Sequence, residues 1–274
     1  SNRFSSNRGN RMRERNFRDW FWIGLLVFLQ LLPIVAVFLN SVAVDWAGTI
    51  LPDGYTLDHI RNITSDPRFN QSIINSLIVA IGSLIITPLI CVPAILVAHC
   101  YFPMLDKWMA GLVILPYAVP GIVLALGLLR LYSGNYGVVL NGTPWVLIFG
   151  YMPLAAPLYY VPIKSNLRAL RMTDIFEAGR LLGASDPAIM WRIVLPCVKQ
   201  GLIIGLVMNF TLAISDFVYA NLLVGGHFPT LQIFMGVLAG GSGRKLSVLI
   251  TTYFIVIFVV TAIVVWVTSR RSDA

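Results

Sequence analysis

The sequence predicts an all-α membrane protein with six transmembrane helices. Three observations lead there. Of the 274 residues, 57% are hydrophobic and only 12% are charged, whereas a soluble domain carries about 25% charge. The apolar residues gather into runs long enough to cross a bilayer as helix, which takes about 20 residues. The basic residues fall between those runs and crowd onto alternate loops.

The elements follow in order. Residues 1–19 hold Arg3, Arg8, Arg11, Arg13, Arg15 and Arg18, and are expected to be a disordered basic tail in the cytoplasm. Residues 20–44 carry no charge and form the first span; with the loop behind it, this makes a segment 20–70. Residues 73–98 and 108–129 are the second and third spans. Residues 144–163 are the fourth, after a Gly/Asn-rich turn region at 133–143. The fifth runs over 197–221 and the sixth over 246–268. Residues 231–239 are apolar but too short to cross, and read as an interfacial or re-entrant helix. The core domain is 71–268, and residues 269–274 are a second cytoplasmic tail.

Six spans put both termini on one side. The arginine-rich tail puts that side in the cytoplasm, because inner loops carry the excess of Lys and Arg. Fifteen of the 20 basic residues then lie inside, Lys107, Lys164 and Lys199 among them; Arg61, Arg68, Arg130, Arg244 and Lys245 lie outside. The net charge of +8 is thus a topology signal and not a nucleic-acid footprint. Asp45, Asp53, Asp58 and Asp66 make the first outer loop mildly acidic, as a solvated loop or as a contact for a soluble partner. Cys91, Cys100 and Cys197 fall in spans or near their inner ends, so thiols are expected rather than disulfides. No His/Cys spacing suggests a metal, and no cofactor is expected.

Residues 177–196 read EAGRLLGASDPAIMWRIVLP, polar enough for water yet set between two apolar spans. The pattern is a helical knuckle. Asp174 can cap a first helix, with Glu177 three residues on as in a capping box. Gly183 supplies a left-handed stop. Ser185 or Asp186 can cap a second helix, with Pro187 in its first turn.

Here Glu177, Ala178, Gly183, Ile193, Leu195 and Pro196 stand at the spacing of the EAA loop, and this stretch resembles that loop of ABC importer permeases. Gly179 departs, standing where the second alanine is usual. Asn75-Ser76-Leu77 is similar to the family's opening. The run from Leu115-Pro116-Tyr117 to Gly121, Leu182-Gly183-Ala184-Ser185, and Ser215-Asp216-Phe217 resemble the branch handling polyamines, ferric iron and phosphonates. The resemblance implies a multi-pass permease of a bacterial inner membrane. It also implies ABC ATPase subunits, a second permease subunit (identical or related), an external substrate-binding protein and surrounding lipid as partners, and no nucleic acid. It gives Glu177, Ala178, Gly179, Gly183, Ala184, Ser185 and Asp186 the part of coupling to the ATPase.

No G-x-x-x-x-G-K-[ST] phosphate loop occurs in the sequence, so this chain is not expected to be an enzyme; ATP hydrolysis belongs to a partner. A secondary transporter without ATPases is the alternative, and no pair of intramembrane charges suggests an ion relay for one. Pro88, Pro93, Pro116, Pro120, Pro153 and Pro157 fall inside spans, where each frees a carbonyl and either lines a cavity or packs as a kink. Asp216 is the acidic residue well inside a span. It can attract a cation, pair with a partner subunit, or end its helix. Pro116, Tyr117, Pro120, Asn209, Asp216 and Tyr219 are the pathway candidates, and a polyamine such as spermidine or putrescine is the expected solute, with phosphonate or ferric iron as alternatives.

Overall fold

The computed structural model describes residues 3–44, 46, 52–134, 139–240 and 243–270, with side chains for all but 3–19, 260–261 and 263–270. Asp45, Arg271 and the side chains of the six tail arginines lie outside that description. Among the described residues the secondary structure is helical, with two isolated β-bridges, Ala43–Tyr55 and Ser133–Val139. The contacts divide the chain into two units.

The first unit holds residues 1–63 and 241–254. Its main element is α1, Arg3–Val42. The basic tail expected to be disordered is therefore helical from Arg3. Arg, Glu and Met are good helix formers, and Gly9 is the one strong breaker there. Residues 20–40 of the apolar part are exposed or half-buried within the chain, none of them buried, as suits a helix solvated by lipid. Beyond it the chain turns back: Val44 donates to the Gly54 carbonyl at 2.9 Å and Thr56 to that of Val42 at 2.7 Å. A short helix, α2 (Asp58–Thr64), follows. The last helix, α14 (Gly243–Arg270), covers the run expected to be the sixth span, and its Ser247 accepts from Asn40 at 2.8 Å.

The second unit is built on α3 (Pro67–Tyr101), α7 (Pro144–Arg168) and α11 (Lys199–Ser215). α7 lies between the other two, and half of its apolar window is buried. Close approach comes from small residues, the usual device between apolar helices. A methyl at Gly205 would lie 2.5 Å from Tyr159 Cδ1, and one at Gly201 would lie 2.7 Å from the Pro162 carbonyl. A fully buried polar knot ties the three helices. Ser83 Oγ donates to Asn209 Oδ1 at 3.0 Å, and Asn209 Nδ2 donates to Tyr159 Oη at 3.1 Å.

The run expected to be the third span is not one helix. It is α4 (Pro103–Leu112), α5 (Leu115–Ala118) and α6 (Gly121–Leu131), bent by 98° where α5 meets α6. Pro120 holds Val119 in extended backbone, φ −102° and ψ 133°, because the residue before proline is pushed out of the helical region. The fifth span is also broken: α11 stops at Ser215, and α12 (Val218–Leu223) begins beyond Asp216. The short apolar piece is α13, Leu231–Ala239. Its first N–H donates to Ser76 Oγ at 2.8 Å, while Asn75 donates to the Pro229 carbonyl at 2.9 Å. The Asn75-Ser76 pair thus seats α13 against α3.

Candidate functional site: the helical knuckle and the broken spans

The knuckle forms from α8 (Met172–Leu181), a turn, and α9 (Asp186–Ile189), which runs through a π-helical turn at Met190–Val194 into α10 (Leu195–Cys197). The helix starts earlier than the capping-box reading expected. Its N-cap is Arg171, and no side chain caps it. Starting there puts Met172, Ile175 and Phe176 on one face, where they pack on the buried cluster around Ile189; burial of that stripe outweighs a box built on Asp174 and Glu177. Asp174 instead lies in the first turn, 3.8 Å from Arg171.

The turn follows the sequence expectation. Gly183 has φ +78°. Its N–H donates to the Arg180 carbonyl at 2.9 Å, and that of Ala184 to Gly179 at 3.0 Å. This is the paired closure of a left-handed helix stop. Ser185 is the N-cap by backbone, without a side-chain bond. Asp186 turns away to clamp Arg180 with two bonds, 2.8 and 2.7 Å. That clamp holds the Asp186 carboxyl below its ordinary range and the Arg180 guanidinium above its own. Gly179 gains a reason here, since the fully buried Ile189 fills the space over it. At the tip, Leu181 and Leu182 are 88% and 87% exposed, with Glu177, Ala178 and Ser185 also on the surface.

Five pathway candidates meet where the two broken spans touch. Pro116, Tyr117 and Pro120 flank the α5–α6 break. Tyr219 of α12 packs over Gly121, its Cε2 3.6 Å from where a methyl would lie. Asp216 Oδ2 accepts from the N–H groups of Tyr219 and Ala220 at 3.0 and 3.1 Å, and from Tyr151 Oη at 2.9 Å. It caps α12 and fixes it to α7. Asn209 is separate, on α11 in the buried knot with Ser83 and Tyr159. A groove of about 860 Å³ runs beside Tyr117, Pro157, Pro162, Ser165, Asn166 and Gln200. Pro88 and Pro93 line a smaller apolar groove of about 230 Å³ beside Trp191 and Leu195.

One cluster was missed by the sequence reading. Lys164, taken as a cytoplasmic loop charge, is 7% exposed. Its ammonium donates to Asp106 Oδ2 at 2.5 Å and to His99 Nδ1 at 2.7 Å. His99 Nδ1 also lies 3.2 Å from the same Asp106 oxygen, so the three side chains meet at one point. Oδ1 of Asp106 is buried without a hydrogen-bond partner among the described residues.

The family model for the inner membrane component of binding-protein-dependent transport systems matches residues 91–272. The chain belongs to that family. Its members are permeases, membrane components of transport and not enzymes, and this one is the inner-membrane permease of an ABC importer. The match takes in the knuckle, both broken spans and the groove. Among relatives, the 2-aminoethylphosphonate transport system permease protein PhnV of Salmonella paratyphi A is 24% identical over 70% of this chain and 71% of its own. The spermidine/putrescine transport system permease protein PotC of Escherichia coli K12 is 25% identical over 80% and 81%. A bacterial ABC transporter involved in the import of the acidic polysaccharide alginate contains a chain of the same fold. Its TM-score is 0.73 at 15% identity, covering 92% of this permease and 95% of that chain. A bacterial alginate ABC transporter in complex with alginate pentasaccharide-bound periplasmic protein contains a chain that gives 0.67 at 18% identity, covering 93% of this permease and 96% of that chain.

Proposed function

We propose that this permease is half of the translocation pathway of an ATP-driven importer of a small polar solute. It has six spans, both termini in the cytoplasm, and the knuckle as its dock for an ABC ATPase. Its other partners are a second permease subunit and an external binding protein. The observation that carries the dock is the tip of the knuckle. Two adjacent leucines stand almost fully exposed on a short water-facing segment held rigid by the Gly183 stop and the Arg180–Asp186 clamp. An exposed apolar pair on a rigid polar mount fits a cleft in a partner protein. Glu177 and Asp186 flank that tip and set its polar rim. ATP-driven closure of the partner would push on the knuckle, and the broken spans, with Tyr117, Asp216 and Tyr219 at their junction and Pro116 and Pro120 at the bend, would rearrange around the groove. Asn209 holds the helices that form its wall.

The solute we favour is a polyamine cation of the spermidine or putrescine type, in line with the relative PotC. A second reading, 2-aminoethylphosphonate, is favoured by the relative PhnV. The two share a primary ammonium on a short alkyl chain. The test is uptake by vesicles holding the permease, its ATPase and its binding protein. Uptake of labelled spermidine or putrescine should require ATP and be competed by the other polyamine. Uptake of 2-aminoethylphosphonate that polyamines do not compete would replace the substrate. Equal uptake without ATP would refute the ATP-driven reading.

A further inference from the structure

We infer that Tyr101 and the Asp106–Lys164 pair are positioning residues that carry motion of the knuckle into the broken third span. This inference rests on the knuckle being the ATPase dock. Tyr101 is the last residue of α3 and touches α8 of the knuckle. Its ring meets Phe176 of α8 edge-on, centroids 5.8 Å apart. Arg180, which clamps Asp186, also lies over the Phe176 ring at 5.8 Å. Tyr101 therefore reads the position of α8, which the clamp ties to α9.

The chain then turns one sharp corner. Phe102 has φ −131° and ψ 76°, and Pro103 opens α4. Asp106 sits in the first turn of α4, its N–H bonded to the Phe102 carbonyl at 3.0 Å. Lys164 of α7 fixes that turn through Asp106, and Tyr160 of α7 reaches the Asp106 carbonyl at 3.4 Å. So the α3–α4 corner is held at two points, by the knuckle on one side and by α7 on the other. α4 leads directly into the 98° break beside Tyr117, and Lys164 stands next to Ser165 in the wall of the groove. Coupling between distant sites needs contiguous contacts and an element with two arrangements. The contacts are those just named, and the broken span is the element. The clasp formed by Lys164, Asp106 and His99 also has a reason to change state. The buried Asp106 Oδ1 lacks a donor, and an unmatched buried oxygen favours any arrangement that supplies one.

The experiment uses the complete complex in vesicles and measures solute transported per ATP hydrolysed, together with the amount of ATPase retained. Asp106→Asn and Lys164→Gln should keep the ATPase bound and hydrolysing, while transport per ATP falls by roughly two- to thirtyfold, the span of coupling changes along such networks. The exchanged pair Asp106→Lys with Lys164→Asp should recover most of that loss. Tyr101→Ala, which leaves all three clasp residues untouched and so guards against misfolded clasp variants, should lower the ratio in the same sense by removing the ring contact with Phe176. Single variants with an unchanged ratio, or an exchanged pair that recovers nothing while the ATPase stays bound, would overturn the inference alone. Loss of the ATPase from the clasp variants would also overturn it, since the pair would then support the dock itself. A wild-type complex that retains no ATPase would overturn the dock and this inference together.

Discussion

A methyl group at position 179 would lie 2.6 Å from Ile189 Cδ1 and 2.8 Å from its Cγ1, and Ile189 is fully buried. Glycine there lets α8 and α9 close on each other. Sequence reasoning saw only a departure from the usual alanine, because a contact ten residues away across a turn leaves no mark in the spacing. We predict that Gly179→Ala lowers the melting temperature of the purified permease. Overpacking costs about 1–3 kcal/mol, against the helix gain of about 1 kcal/mol. Adding Ile189→Val, which removes the nearer carbon, should return part of the loss; a rise in melting temperature for Gly179→Ala alone would contradict the packing. Lys164 teaches the same lesson. The fourth span was ended at 163 because a charge follows, yet α7 runs on to Arg168. The partner that makes burial tolerable, Asp106, is 58 residues away in sequence. Gly183 was legible, by contrast, because a helix stop is a local requirement.

Among the elements, proline had opposite outcomes in two spans. α7 keeps Pro153, Pro157 and Pro162 inside one continuous helix, while Pro116 and Pro120 divide the third span into three. α7 is held on both sides by α3 and α11, and its half-buried face resists bending. Most residues of α4 and α5 are exposed within the chain, so few packed side chains oppose the break. Proline content alone could not tell these apart, though helix over the apolar runs and the short α13 were legible from apolar length. The Asp216 break was legible as one of three options, ending a helix; the structure adds that the carboxylate caps the next one. We predict that Asp216→Ala destabilises the permease by the lost cap, about 0.5–2 kcal/mol, with a further cost of about 1–3 kcal/mol for the stranded Tyr151 hydroxyl. Asp216→Asn keeps an acceptor oxygen and should lose less. Tyr151→Phe in the Asp216→Ala background should recover part of the loss in thermal unfolding. Equal melting of Asp216→Ala and wild type would remove the capping role.

For the whole molecule, composition gave the membrane, and the fixed positions of the knuckle gave the family. What remained hidden was how the knuckle reaches the spans, since Tyr101, Asp106 and Lys164 come together only through folding. The central claim is that the knuckle tip docks an ATPase, and retention of the ATPase by the affinity-captured permease tests it most directly. Burying a leucine stabilises an interface by about 1.5–3 kcal/mol, so Leu181→Asp with Leu182→Asp should weaken retention by a hundredfold or more in Kd. These side chains are exposed, so the variant should melt as wild type does. Wild-type permease holding the ATPase while this variant loses it is the result the account predicts. Undiminished retention by the variant would contradict it.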